Sequence, residues 1–158
     1  MGENKLKIPK TRKQVKLWVH PEGLVIGSLF VREHSIHHAG NEEPHEVLNQ
    51  DVPFIVLYRE EPSELRFYNR KSIIRVEYEQ SDSSSNPGLQ IMPCRLTMMD
   101  GSVLEGEIRE ALPPEHSRLF DYLNQDNTRF IKMYMDDNQI FLVNKSYINH
   151  VTTMHTGR

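Results

Sequence analysis

The chain has 158 residues, 37% hydrophobic and 26% charged, with a formal net charge of −3 and a single cysteine, Cys94. That length suits one globular unit or two very small ones, and the lone cysteine excludes an intrachain disulfide and a tetrathiolate zinc site. No run approaches the roughly 18 consecutive apolar residues of a membrane span, and no apolar stretch follows the basic N-terminus, so neither a span nor a signal peptide is expected and a reducing, cytoplasmic setting is the simpler reading.

Residues 1–14 set Lys5, Lys7, Lys10, Arg12 and Lys13 against Glu3, with Gly2, Pro9 and no apolar periodicity. This reads as a basic disordered arm on an acidic body. From 15 to 79, "VKLWV", "LVIGSLFV", "PFIVLY", "ELRFY" and "IIRVEY" read as five strands. Residues 80–90, "QSDSSSNPGLQ", have the composition of a flexible linker. From 91 to 154, "CRLTMM" alternates, Asp100 and Gly101 make a hairpin turn, and "SVLEGEIRE" continues beyond it. The stretch "PPEHSRLFDYLNQ" puts Leu119, Phe120 and Leu123 on one stripe after two prolines, which predicts a helix of about two to three turns. "RFIKMYM", "QIFLV" and "YINHV" then supply three strands, and 155–158 is a tail.

The chain repeats itself. LNQD occurs at Leu48 to Asp51 and again at Leu123 to Asp126, a shift of 75 residues, and the same shift carries Asn69, Arg70, Ile73 and Val76 onto Asn144, Lys145, Ile148 and Val151. Phe54, Ile55 and Tyr58 match Phe130, Ile131 and Tyr134 with one residue of slippage, while Leu17 and Gly27 correspond to Leu96 and Gly106. Five short strands per repeat bury little as a flat sheet. Each set is therefore expected to curl into a small barrel that bends at Gly27 or Gly106, with the two sharing an interface.

Val143 to Val151 reads V-N-K-S-Y-I-N-H-V, and residues 100–108 read D-G-S-V-L-E-G-E-I. These resemble the Sm-like fold, in particular the bacterial Sm-like RNA chaperone with its V-Y-K-H-A-I-S-T-V segment and N-G-x-x-L-x-G-x-I hairpin. The resemblance implies a mainly β chain of two tandem five-stranded Sm-like barrels, each with a short helix inserted between its second and third strands. The family's Lys corresponds to Lys145, and to Arg70 in the first repeat, while its His is replaced by Ser146 and Lys71. R-L-F-D-Y-L-N at 118–124 with the later V-N-K-S-Y-I is also similar to a group of bacterial domains of unknown function, which implies no activity.

Sm-type proteins thread single-stranded RNA past aromatics and cations in loops between strands, so the resemblance points to Lys145, Tyr147, Asn144, Arg70, Lys71 and Asn69, with the basic arm assisting. The acidic body weighs against this, because attraction to phosphate supplies most non-specific affinity. The cluster His34, His37, His38 and His45 among Glu42, Glu43 and Glu46 has donors that suit zinc, nickel or copper, but a solvated loop is the simpler reading. No nucleophile elbow, phosphate loop, dinucleotide fingerprint or H-E-x-x-H occurs, so neither an enzyme nor a cofactor is expected. What remains is a binding or assembly module. In Sm-like proteins the fourth strand of one unit pairs with the fifth of the next, and a tandem chain would satisfy one such junction internally and leave one edge of each kind for itself or another protein.

Overall fold

The computed structural model describes residues 9–80, 88–136 and 138–154; residues 1–8 of the basic arm, 81–87 of the expected linker and the tail 155–158 lie outside the described residues. The first half carries β1 (Lys10–Val19), β2 (Gly23–Arg32), α1 (Pro44–Leu48), β3 (Phe54–Glu60), β4 (Ser63–Asn69) and β5 (Ile73–Glu79). The second half carries β6 (Gln90–Met98), β7 (Val103–Glu110), α2 (Leu119–Leu123), β8 (Phe130–Tyr134), β9 (Gln139–Asn144) and β10 (Ile148–Thr153). In each half a one-turn 3₁₀ segment precedes the last strand, Arg70–Ser72 and Lys145–Tyr147. None of the described helices is long and apolar enough to cross a membrane.

Two element boundaries differ from the sequence reading. Residues 10–14, assigned to the arm, belong to β1, because β2 is long enough to pair them from Lys10↔Arg32 to Gln14↔Ser28. The helix before β8 has five residues rather than two or three turns, since the prolines sit in a separate 3₁₀ turn at Pro114–His116. Arg118 caps the helix from extended backbone, and the Asp121 carboxylate accepts from the Arg118 N–H at 3.2 Å.

The strands form one ten-stranded antiparallel sheet in the order β10-β6-β7-β8-β9-β5-β1-β2-β3-β4. Each half thus runs fifth, first, second, third, fourth. The sheet is not closed, and the strand pairing does not divide it into two barrels: β5 pairs with β9 of the other half and joins the two sets into one sheet. Registers recur position by position. Phe54↔Asn69 in β3·β4 matches Phe130↔Asn144 in β8·β9, and Leu17↔Val76 in β1·β5 matches Leu96↔Val151 in β6·β10.

The second strand of each half changes partner sharply. Along β2 only Ser28 and Leu29 pair with β3, and along β7 only Glu107 pairs with β8. Gly27 and Gly106 sit beside these crossings, where a Cβ would lie 2.7 Å from the Tyr58 carbonyl oxygen and 2.7 Å from that of Tyr134. The backbones meet too closely there for any side chain.

Two apolar cores result. The first holds Leu17, Leu29, Leu48, Leu57, Ile73 and Val76, together with Phe130, Ile140 and Leu142 from the second half. The other holds Leu96, Ile108, Ile131 and Met133 with Phe141 and Val143. Strand β9 is a wall between them: its side chains alternate faces, so successive residues enter opposite cores.

Candidate assembly edges and the junction between the halves

The internal junction is built from strand pairing, two asparagines and apolar cover. β5 and β9 pair from Arg75↔Val143 to Glu79↔Gln139. Asn49, which ends α1, accepts through Oδ1 from the N–H groups of Arg129 at 2.9 Å and Phe130 at 2.8 Å, and donates through Nδ2 to the Phe130 carbonyl at 3.1 Å. Asn144, fully buried at the end of β9, donates to the Ile73 carbonyl at 2.9 Å and accepts from the Ser146 N–H at 2.9 Å. The Arg75 guanidinium lies 4.1 Å from the Trp18 ring centre and 5.6 Å from that of Phe141, and Lys132 reaches the Glu43 carboxylate at 3.2 Å. Burial shifts the Arg75 pKa downward, as it does for a cation drawn out of water.

The two ends of the sheet are the same surfaces left uncovered. Among the described residues, β4 pairs only with β3, and β10 only with β6. Phe54, Leu65 and Phe67 on the β3·β4 hairpin are 53%, 55% and 65% exposed, whereas their register equivalents Phe130, Ile140 and Leu142 are 1%, 0% and 0% exposed. At the other end, Leu123, Ile148 and Val151 are half-buried, whereas their equivalents Leu48, Ile73 and Val76 are fully buried. The residues compared are apolar and hold equivalent registers on both sides. For these apolar residues the difference lies in the strand that covers them.

Of the residues that the RNA reading singled out, Arg70 and Lys145 line a surface groove of about 650 Å³, beside Arg129, Asn49 and Asn124, while Asn69, Lys71, Asn144 and Tyr147 are not part of its lining. Its cations are largely engaged. Arg70 donates to the carbonyls of Leu48, at 3.4 Å, and Gln50; Lys145 donates to those of Leu123 at 3.0 Å and Gln125 at 2.8 Å. In both halves the same repeat position thus ties down the carbonyls that end the short helix. Burial lowers the pKa of both groups, with a neighbouring Arg129 charge adding to it. Asn69 accepts from the Lys71 N–H at 2.9 Å, Tyr147 packs against the second core, and Lys71 is exposed.

The histidine loop holds one trio able to meet a metal ion among the described residues: His38, Glu43 and Glu46, with ligand atoms within 4.8 Å of one another. His34 and His37 are not in it. Hydrogen-bond donors and an ammonium group already surround the trio. Glu46 accepts from Ser35 at 2.6 Å, from the Glu43 N–H at 2.7 Å and pairs with His38 at 2.9 Å, while the Lys132 ammonium sits against Glu43. Burial raises the Glu46 pKa, but these hydrogen bonds outweigh it and the net direction is downward. His45 is set apart, its buried Nδ1 without a hydrogen-bond partner, and burial lowers its pKa. Cys94 is fully buried, which pushes its thiol up to about 11 and leaves it a poor nucleophile.

Phe54, Leu65, Phe67 and Asn49 were not singled out from sequence. A signal exists all the same: at equivalent positions "QIFLVN" is a continuous apolar run, as a strand covered on both faces requires, while "ELRFYN" alternates. No protein-family model, curated protein or solved structure matches the chain.

Proposed function

We propose that this chain is a non-enzymatic assembly module that self-associates through its two free strand edges, and that its halves are tandem units of the Sm-like type. The observation that carries the reading is the contrast at the ends of the sheet: the outer edges of β4 and β10 have no strand partner among the described residues, while the strands at their equivalent positions, β9 and β5, are bonded to each other. An unpaired edge flanked by exposed Phe54, Leu65 and Phe67 is a template for another chain. The recurrent order fifth, first, second, third, fourth supports the Sm-like reading, as does the position of Arg70 and Lys145 just after the fourth strand of each half.

Light scattering over a dilution series tests it. The full chain is expected to exceed its 18.5 kDa mass and to dissociate on dilution, and Phe67→Lys, at an exposed position, is expected to hold it at the single-chain mass. A wild-type protein that stays at the single-chain mass at every concentration overturns the reading.

A further inference from the structure

His38, Glu43 and Glu46 meet where the loop after β2 enters α1. Both nitrogens of the His38 ring face groups that only accept. Nδ1 lies 2.8 Å from the Ala39 carbonyl oxygen, and Nε2 lies 2.9 Å from Glu46 Oε2. A ring so placed carries a proton on Nδ1 and needs a cation between Nε2 and the carboxylate, either a second proton or a metal ion. Donating the far ring N–H to a carbonyl is how metal-ligating histidines are oriented, and ligating carboxylates are held by hydrogen bonds of their own. Glu46 has such bonds, from Ser35 Oγ at 2.6 Å and from the Glu43 N–H at 2.7 Å.

We propose that this trio is a zinc site, with His38 Nε2, Glu43 Oε2 and Glu46 Oε2 as its ligands. Donor atoms held at roughly 2.0–2.2 Å on a tetrahedral zinc lie about 3.3–3.5 Å from one another. His38 Nε2 is 2.9 Å from Glu46 Oε2 and 3.9 Å from Glu43 Oε2, separations that bracket this spacing. The Lys132 ammonium, 3.2 Å from Glu43 Oε1, leaves the other oxygen of that carboxylate to the ion. Of the histidines in this stretch, only His38 belongs to the ligand set, and two carboxylates complete it.

Orphaned polar atoms point to an occupant independently. His45 Nδ1, 4.0 Å from Glu43 Oε1, and the hydroxyl of Tyr78, a residue 5% exposed, are buried without a hydrogen-bond partner among the described residues. Tyr78 lines, together with His38 and Glu43, a surface cavity of about 430 Å³ through which an ion can enter. Buried polar atoms rarely go unpaired in folded proteins. An ion on three side chains keeps a water in its open position, and a water is the partner that both atoms lack.

The second half is the internal control. The repeat shift carries Glu43 and Glu46 onto Arg118 and Asp121, at the same two positions of the short helix, and there the Arg118 guanidinium donates to the Asp121 carboxylate at 3.1 Å. The chain carries its own cation on that side. In the first half both positions are carboxylates, and the loop that brings His38 to them, 33–43, is longer than its counterpart, 111–118. Zinc therefore belongs to the first half alone, and it ties this loop to α1, whose far end holds Phe130 through Asn49.

Isothermal titration of the untagged, chelator-stripped full chain with zinc sulfate tests the site. Wild type is expected to bind one zinc per chain, and its melting temperature is expected to rise with zinc concentration. His38→Ala and Glu43→Gln are each expected to weaken binding by more than the roughly 10–100-fold that loss of an outer-shell partner costs, and Ser35→Ala by an amount within that range. His37→Ala, exposed on the same loop, is expected to bind as wild type does. Melting curves without zinc show that each variant is folded, and His38, itself exposed, supplies a variant that leaves the helix cap intact. Absence of zinc binding by the wild-type chain overturns the proposal. Binding that persists undiminished in both His38→Ala and Glu43→Gln, or that is lost in His37→Ala, puts the metal elsewhere and overturns it as well. X-ray absorption at the zinc edge is expected to show nitrogen and oxygen ligands with a single imidazole, and a second imidazole overturns the ligand set.

Discussion

The side-chain amide of Asn49 holds both backbone polar groups of Phe130, 81 residues away, accepting from its N–H at 2.8 Å and donating to its carbonyl at 3.1 Å. It does with a side chain what a neighbouring strand does with its backbone. Asn49→Ala strands these groups at a fully buried residue and is expected to cost about 1–3 kcal/mol in urea unfolding. Asn124→Ala, measured at dilutions where single chains prevail, is expected to stay within about 0.5 kcal/mol of wild type. Equal losses for the two would contradict the role given to Asn49.

A second contrast concerns the apolar cover. Leu142 is fully buried between the halves and its equivalent Phe67 is 65% exposed. Leu142→Ala is expected to lower stability by about 2–5 kcal/mol, the range for a buried leucine, whereas Phe67→Ala leaves single-chain stability nearly unchanged. Thermal melts of dilute samples measure both.

Gly27 and Gly106 are expected to reject a methyl group. Each would place a Cβ 2.7 Å from a backbone carbonyl oxygen of the neighbouring strand, which cannot move without shifting that strand. Gly27→Ala and Gly106→Ala should each cost about 1–3 kcal/mol, and a melting temperature within error of wild type for either would show that the crossing has slack.

Two histidines of one loop should respond to acid in opposite senses. His45 has its pKa lowered from 6.5 by burial and then by the Lys132 charge, so its contribution to stability is present above that value and lost as pH falls below it. His38 has its pKa raised from 6.5 by its hydrogen bond to the Ala39 carbonyl and by Glu46, so its contribution is present below that value and lost as pH rises through the folded pKa. Between about pH 7.5 and about pH 5.5, His38→Ala should lose more stability on acidification than wild type, and His45→Gln less. Urea midpoints across that range give the slopes, and identical slopes for all three proteins would refute the assignment.

Arg70 and Lys145 are expected to be structural ties first. Arg70→Met and Lys145→Met free the helix-end carbonyls that these cations hold, and each should cost about 1–2 kcal/mol. Titration with a labelled oligo-uridine at low salt is the companion measurement. Salt-dependent binding lost in both variants with no loss of stability would return the groove to an RNA role.

Much of the architecture was legible in the residues. Alternation in "CRLTMM" and "RFIKMYM", the Asp100–Gly101 turn and the repeated LNQD located the strands and the repeat, because side-chain periodicity and turn chemistry are local properties. The extent of β1 was not, since Lys10 to Gln14 are polar and become a strand only because β2 offers them partners. The brevity of α2 was missed too: an apolar stripe tells which face is buried but not where the preceding prolines turn the chain away.

Arg70 and Lys145 stood out as a matched pair in sequence, while their purpose depended on carbonyls 20–22 residues away. Sequence by itself determined that the chain is two similar sets of short strands with equivalent apolar positions. Tertiary structure alone decided which member of each equivalent pair is covered, so that Leu142 is core and Phe67 is surface. Burial is conferred by neighbours arriving from the other half of the chain, and the local pattern keeps only a trace of it, in the unbroken apolar run of "QIFLVN" against the alternation of "ELRFYN".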